Sequence, residues 1–197
     1  MVRFNYDNLQ EAVLAWESYA RWVEWAKHLG VEDPAGLATY VRTGLLVLDG
    51  ELLNRSLELG HMDTLGIPYE AVTAEEIRER HPALDPARIG PACRVEDEHF
   101  WDDATGEVGG FFQHDSGFVN DATLAAHNLV YAAEQSGAKF RWRAQVTDVL
   151  RDGVRVSGVR LADGADVYAS VVVNAAGPWS VALNTLAGVL DDFSTST

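Results

Sequence analysis

The residues with the clearest capacity for chemistry stand near the end of the sequence, in Val171-Val-Val-Asn-Ala-Ala-Gly-Pro-Trp-Ser180. The β-branched run predicts a strand covered on both faces. Ala175, Ala176 and Gly177 follow with almost no side chain, and Pro178 suits the first turn of a helix over about 178–188. Such a turn lets a ligand approach the backbone closely and offers free helix N–H groups to an anion such as a pyrophosphate. A crowded strand-to-helix turn asks for the same small residues simply to avoid clashes, so that structural reading stands beside the functional one.

Other chemistry-bearing patterns are weaker. The glycine fingerprints G-x-G-x-x-G and G-x-x-x-x-G-K-[ST] do not occur in the 197 residues, and neither does G-x-S-x-G. His28, His61, His81, His99, His114 and His127 have no close metal-ligand spacing. Asp97-Glu98 and Asp102-Asp103 flank Phe100-Trp101 on an expected loop, where adjacent carboxylates are solvated rather than matched as acid and base. Cys93 is the only cysteine, so no intrachain disulfide can form, and a buried or half-buried structural thiol is expected.

The elements that position these residues follow from periodicity. Leu9, Val13, Trp16, Ala20 and Val23 predict one helix over 8–29, widened by Tyr19, Trp22 and Trp25 and stopped at Gly30. Helical spacing assigns the tryptophans to core packing rather than to a stacking surface for a ligand. Gly44–Gly50 reads as a buried strand, followed by a helix over about 51–65 ended by Gly66-Ile-Pro68. Thr73-Ala-Glu-Glu76 is a capping box opening a short helix. Short strands and loops are expected over 90–119. A second long helix runs from Asp121 to about Gln135, capped by Asn120 or Asp121, with Leu124, Ala125, Leu129 and Ala132 on its apolar face and Gly137 as its stop. Strands follow around Phe140–Ala144, Val146–Leu150, Val154–Leu161 and Asp166–Tyr168, with Asp163-Gly164 as a tight turn. The tail from Asp191 is expected to fray.

Composition bounds the rest. Apolar residues make up 47% and charged residues 23% of the chain, an ordinary globular balance. Thirty acidic residues against fifteen Lys plus Arg give a formal charge of -15, which repels nucleic acid and anionic membranes. No run of about 18 apolar residues exists to span a bilayer. The opening residues lack the apolar stretch of a signal peptide, and the lone cysteine suits a reducing compartment, so a cytoplasmic protein is expected.

Several segments, taken in order, carry a family resemblance. They are Asp115-Ser-Gly-Phe-Val-Asn-Asp-Ala-Thr-Leu124, Ala132-Ala-Glu-Gln-Ser-Gly-Ala138, Val146-Thr-Asp-Val149, Val156-Ser-Gly-Val-Arg-Leu-Ala-Asp-Gly164 and the 171–180 run. Gly44-Leu-Leu-Val-Leu48, Gly66–Glu76 and Arg3-Phe-Asn-Tyr6 extend it upstream. The ensemble resembles the FAD-dependent amine and amino-acid oxidoreductases, the group that includes D-amino acid oxidase, sarcosine oxidase and dimethylglycine dehydrogenase.

The resemblance implies FAD as cofactor. It implies that the backbone at Val146 reaches the adenine side, that the backbone of Ala175, Ala176 and Gly177 lies near the dinucleotide, and that Trp179 lies near the cofactor. It implies oxidation of the C–N bond of an amine or amino acid, and it names no catalytic residue here. The missing glycine fingerprint leads to the expectation of a central fragment that lacks the family's N-terminal motif and C-terminal part. The expected fold is α/β, mixed with α+β: a partial FAD-binding Rossmann-like domain over 1–40 and 120–197, with a partial substrate-binding domain over 41–119. Expected partners are a small amine or amino acid, no nucleic acid and no membrane, with self-association or a complementary chain. The alternative is a non-catalytic flavoprotein remnant or interaction subunit completed by another chain.

Overall fold

A computed structural model describes residues 1–50, 55–88, 93–103 and 105–189. The fold is mixed α/β, as the periodicities predict, and the chain divides into two compact units, Met1–Ala138 and Lys139–Thr197.

In the first unit, Asn8 caps α1 (Leu9–Val23) by accepting from the N–H groups of Gln10 and Glu11 at 2.9 and 3.4 Å. The single helix expected over 8–29 breaks at Glu24 (φ -107°, ψ 43°), and α2 (Trp25–Leu29) continues to Gly30, which closes it at φ 67°. The break turns Trp25 into the protein, where it is buried. The apolar face also lies differently from the predicted stripe. Ala12, Ala15, Trp16 and Tyr19 face the core, whereas Ala20 and Val23 are exposed. The aromatic rings choose that face: Trp16 stacks on Tyr19 at 5.2 Å, and both meet Phe4 edge-on.

There follow β1 (Tyr40–Arg42), β2 (Leu45–Leu48), α3 (Arg55–Leu65), β3 (Glu70–Val72), α4 (Ala74–Arg80), β4 (Gly110–Gln113), β5 (Gly117–Val119) and α5 (Ala122–Gln135). The first four residues of the helix predicted over 51–65 lie outside the described residues. The capping box forms as read: Glu76 N–H donates to Thr73 Oγ1 at 3.3 Å, and Thr73 N–H donates to Glu76 Oε2 at 2.7 Å. Strands β2, β4 and β3 make an antiparallel sheet in that order, and β1 pairs antiparallel with β5. Gly110 permits the closest approach in that sheet, since a Cβ there would stand 2.1 Å from the Val47 carbonyl oxygen. Phe4, Met62, Ile67 and Phe111 form the core between the sheet and the helices.

Helix α5 begins as predicted, with Asp121 accepting from Leu124 N–H at 2.8 Å. Its buried face is Ala125 and Asn128, whereas Leu129 is exposed. Asn128 is fully buried and fully used. Its Oδ1 accepts from Trp25 Nε1–H at 3.2 Å and Ala38 N–H at 3.0 Å, and its Nδ2 donates to Asp33 Oδ2 at 2.7 Å and the Gly36 carbonyl at 2.8 Å. One amide thus ties α5 to α2 and to the 33–38 loop. A second knot joins α1 to the strands. Tyr19 donates to Asp115 Oδ1 at 2.7 Å, Tyr40 donates to the Asp115 carbonyl, and Arg42 donates to the Tyr19 hydroxyl. Burial, then the hydrogen bond and charge of Asp115, push the Tyr19 phenol up to about 12, with Arg42 opposing.

The second unit is an antiparallel meander of β6 (Val146–Asp152), β7 (Arg155–Leu161) and β8 (Asp166–Tyr168), with α6 (Ser180–Leu186) packed on β6. Asp163-Gly164 makes the predicted turn, with Gly164 at φ 85°. Two strand expectations fail. Residues 140–144 form no strand, and Phe140 and Trp142 instead stack on each other at 5.4 Å. Residues 171–174 also form no strand. They have no ladder partner among the described residues, and Val171 and Val173 are 73% and 80% exposed. A β-branched run needs a neighbouring strand to convert its propensity into a ladder.

Two outcomes test these knots. Asn128→Leu strands the Trp25 and Ala38 N–H donors in the interior and takes one partner from Asp33, and urea unfolding is expected to show a loss of about 3 kcal/mol. A loss within about 0.5 kcal/mol, the size of an ordinary surface change, contradicts the role assigned to Asn128. The raised Tyr19 value means its protonated form favours the native state. That contribution is complete below the ordinary phenol value of 10.0 and disappears as pH rises towards about 12. In a tyrosinate absorbance titration, Tyr19→Phe removes the last phenol to ionise; removal of a transition near the ordinary value overturns the assignment.

Candidate functional site

The turn after the 171–173 run is built from one side chain outward. Asn174 Oδ1 accepts from the Ala176 N–H at 3.2 Å, while its Nδ2 donates to the Ser180 carbonyl at 2.9 Å and to Asn184 Oδ1 at 2.8 Å. Ala175, Ala176 and Gly177 are thereby drawn back over the start of α6. Gly177 sits at φ +56°, and a Cβ placed on it would meet no atom within 4 Å. The approach to this backbone is therefore open. Residues Gly177–Trp179 form a 3-10 turn, in which Trp179 N–H donates to the Ala176 carbonyl at 3.1 Å, and α6 follows directly. The helix expected over 178–188 is thus shorter and begins with a tighter turn. Pro178 supplies the fixed φ for that turn and no donor. The Trp179 indole is 73% exposed.

Val146 opens β6 and is half-buried. Its strand is an edge of the three-stranded sheet, so the outer backbone groups of β6 have no ladder partner among the described residues. Val146 pairs with Leu161, and a bulge follows before Asp148. Bulges re-aim the backbone at sheet edges. The sequence-predicted residues Val146, Ala175, Ala176, Gly177 and Trp179 therefore lie in one unit, on elements that pack together. One ion pair nearby is closed on itself: Arg160 grips Asp166 through two bonds at 2.7 and 3.0 Å and holds that carboxyl below its usual range.

Other candidates in the first unit offer less chemistry. An open groove of about 470 Å³ between α1 and α5 is lined by Val2, Trp22, Ala125, Ala126 and Leu129, with mainly apolar walls. The Tyr19–Tyr40–Arg42–Asp115 cluster uses its polar groups on one another. The acidic residues at 97–103 are exposed; Asp97 caps a 3-10 turn over Glu98–Trp101, and Asp102 Oδ2 stands 2.9 Å from His99 Nδ1. Cys93 is half-buried. Among the described residues no three His, Cys, Asp or Glu side chains gather as a metal site, and no helix is long and apolar enough to cross a membrane.

Sequence reasoning chose the small residues of the turn and overlooked Asn174 and Asn184, which hold it. The available signal was an asparagine between a β-branched run and small residues, the setting in which its side chain competes for backbone N–H groups.

Comparison with known proteins adds the family. The description "FAD dependent oxidoreductase" matches residues 1–193. Among solved structures, L-proline dehydrogenase from P. horikoshii superposes with a TM-score of 0.70 at 20% identity, covering 96% of this chain and 44% of its own. Glycine oxidase from Bacillus cereus gives 0.59 at 24% identity, covering 93% and 45%, and the amino acid oxidase NikD gives 0.60 at 23%, covering 95% and 41%. The chain thus spans less than half the length of these structures. Their likeness shows the fold: a mixed α/β architecture with a Rossmann-like FAD-binding region and an inserted β-sheet portion. In place of the expected central fragment, the match supports membership of the family over nearly every residue of the chain, from the first to 193. Matched over residues 1–193 of its 197, the chain belongs to the FAD-dependent oxidoreductase family.

Proposed function

We propose that the chain contributes the FAD-contacting turn and edge strand of an enzyme that oxidises the C–N bond of an amine or amino acid, of the sarcosine, dimethylglycine or D-amino-acid type. The observation that carries this reading is the open turn at Ala175–Gly177, held from behind by Asn174. The residues present fit a dinucleotide. Gly177 leaves its flank clear, Pro178 and the alanines add no bulk, Trp179 offers an exposed ring, and β6 offers unladdered edge groups at Val146.

In this reading the backbone of Ala175, Ala176 and Gly177 would hold the dinucleotide, the main chain at Val146 would reach its adenine side, and Trp179 would stand near the cofactor. Bound FAD supplies the acceptor for a hydride equivalent from the carbon beside the substrate nitrogen. The chain's own residues bind and orient it. The substrate class draws support from the relatives, one a proline dehydrogenase, one a glycine oxidase and one an amino acid oxidase by name. Residues 1–40 and 120–197 are assigned to the cofactor side and 41–119 to the substrate side. The junction of α2 with α5 through Trp25 and Asn128 supports grouping residues 1–40 with 120–138. The half-buried single thiol suits a reducing compartment such as the cytoplasm.

A second reading, an interaction subunit that self-associates or is completed by another chain, draws on the exposure of Val171 and Val173. Sedimentation separates the two: a concentration-dependent dimer that binds no flavin favours the second.

Titration of FAD into the 197-residue chain, followed by flavin fluorescence, is expected to show saturable but weak binding, because the glycine fingerprint that holds the pyrophosphate does not occur in the sequence. Gly177→Val puts a β-branched residue at φ +56° and is expected to weaken binding by about tenfold or more. Absence of saturable binding to the unaltered chain, or equal affinity in the valine variant, contradicts the proposal.

A further inference from the structure

Tyr19 and Asp115 form a phenol–carboxylate pair that the cofactor reading leaves unused. The Tyr19 hydroxyl donates to Asp115 Oδ1 at 2.7 Å, within the reach of direct proton transfer. The same oxygen stands 3.5 Å from Arg42 Nε, which holds the carboxylate in place on the phenol. On its other side the Tyr19 ring lies flat on the Trp16 indole, with centroids 5.2 Å apart and planes 5° from parallel. Overlapping π-systems at that spacing can exchange an electron directly. One side chain thus touches an electron partner with its ring and a proton acceptor with its hydroxyl.

No other ring among the described residues has both. Three tyrosines donate to a carboxylate: Tyr19 to Asp115, Tyr69 to Asp63 at 2.9 Å and Tyr168 to Asp166 at 3.4 Å. Only Tyr19 of the three lies against an indole; the ring beside Tyr69 is Phe111, edge-on at 6.2 Å. Tyr40 meets Tyr19 edge-on at 5.9 Å, but its hydroxyl donates to the Asp115 main-chain carbonyl, which is too weak a base to take a proton. Trp25 stacks on Trp22 at 4.6 Å, and its indole N–H donates to the Asn128 amide oxygen, which is no base either.

Electrostatics decides how an electron can leave Tyr19. The Arg42 guanidinium lies 5.7 Å from the Tyr19 ring centroid and donates to its hydroxyl. A cation there opposes the growth of positive charge on the ring. Burial, followed by Asp115, pushes the phenol up to about 12, so it keeps its proton at neutral pH. The ring therefore gives up its electron and its proton together.

We infer that Tyr19 is a proton-coupled electron donor to Trp16, and that the Trp16–Tyr19–Asp115 stack is a trap for oxidising equivalents that reach α1. A one-electron oxidant, such as an inorganic radical or a photo-excited isoalloxazine, takes one electron from the Trp16 indole. Tyr19 returns one electron to Trp16, and its proton passes to Asp115 Oδ1. The products are an intact indole, a neutral tyrosyl radical and a carboxylic acid. The inference goes beyond the FAD reading and does not depend on where the flavin binds.

Pulse radiolysis of the 197-residue chain with azide radicals tests it, because azide radicals oxidise indoles faster than phenols at neutral pH. The tryptophan-radical absorbance is expected to decay as the tyrosyl absorbance grows, at a rate independent of protein concentration and slower in heavy water. Tyr19→Phe keeps the stacked ring and is expected to remove most of that growth. Asp115→Asn keeps the shape of the acceptor without its basicity and is expected to slow it about tenfold or more. Tyr69→Phe, which removes a phenol–carboxylate pair without an indole, is expected to leave it unchanged. Each variant is first shown to keep the far-ultraviolet circular dichroism of the parent. Should Tyr19→Phe fail that check, Asp115→Asn and the heavy-water rate carry the test. Undiminished growth in Tyr19→Phe, an unchanged rate in Asp115→Asn, or equal rates in light and heavy water overturns the inference. Loss of the growth in Tyr69→Phe overturns the choice of Tyr19.

Discussion

A ligand can be held by main-chain groups only where no side chain stands between it and the backbone, and only if that backbone is held still by something else. The turn at Ala175–Gly177 meets the first condition through its composition and its open flank at Gly177. It meets the second through the amide of Asn174. The two conditions pull against each other, because residues small enough to clear the approach have no means of fixing their own conformation. The division of labour between a bare turn and a polar residue just before it resolves the conflict. The rest of the second unit serves that arrangement: the β6–β7–β8 meander gives α6 a surface to rest on, and α6 gives Asn174 its two acceptors.

The first unit solves a related problem in a different dielectric. Asn128 also joins separated backbone segments with one amide, but it does so fully buried, where all four of its hydrogen-bonding contacts are protected from water. Breaking that set leaves unpaired groups in the interior and costs stability. Breaking the exposed Asn174 set lets water replace the partners, so the loss falls on local order and ligand geometry more than on global stability. The same residue type thus pins a buried junction in one unit and holds an exposed turn in the other, with burial deciding what its loss costs.

Much of the fold was legible because it depends on local chemistry. The cap at Asp121, the capping box at Thr73–Glu76, the stops at Gly30 and Gly66 and the turn at Asp163-Gly164 all lie where the side chains or glycine freedom require them. What was misread depended on partners distant in sequence. The break at Glu24 is chosen by the burial of Trp25 against Asn128, which stands 103 residues away. The predicted face of α5 rotated for the same reason, since apolar spacing cannot foresee a buried asparagine, whereas that of α1 rotated to set Trp16 and Tyr19 against Phe4. The 171–174 run reads as a strand by propensity, but pairing is a property of two segments. In the candidate site, the small residues were visible from the sequence because size is intrinsic. The contribution of Asn174 was not, because three hydrogen bonds to residues two, six and ten positions onward exist only once the turn has folded.

The central claim is that the main chain of the second unit receives the cofactor. Backbone amide chemical shifts recorded during addition of FAD test it most directly. The account predicts saturable shifts at Val146, Ala176 and Gly177, together with the indole N–H of Trp179, while the Trp25 indole bound to Asn128 stays in place. Shifts confined to residues 1–138, or spread evenly without saturation, would contradict it.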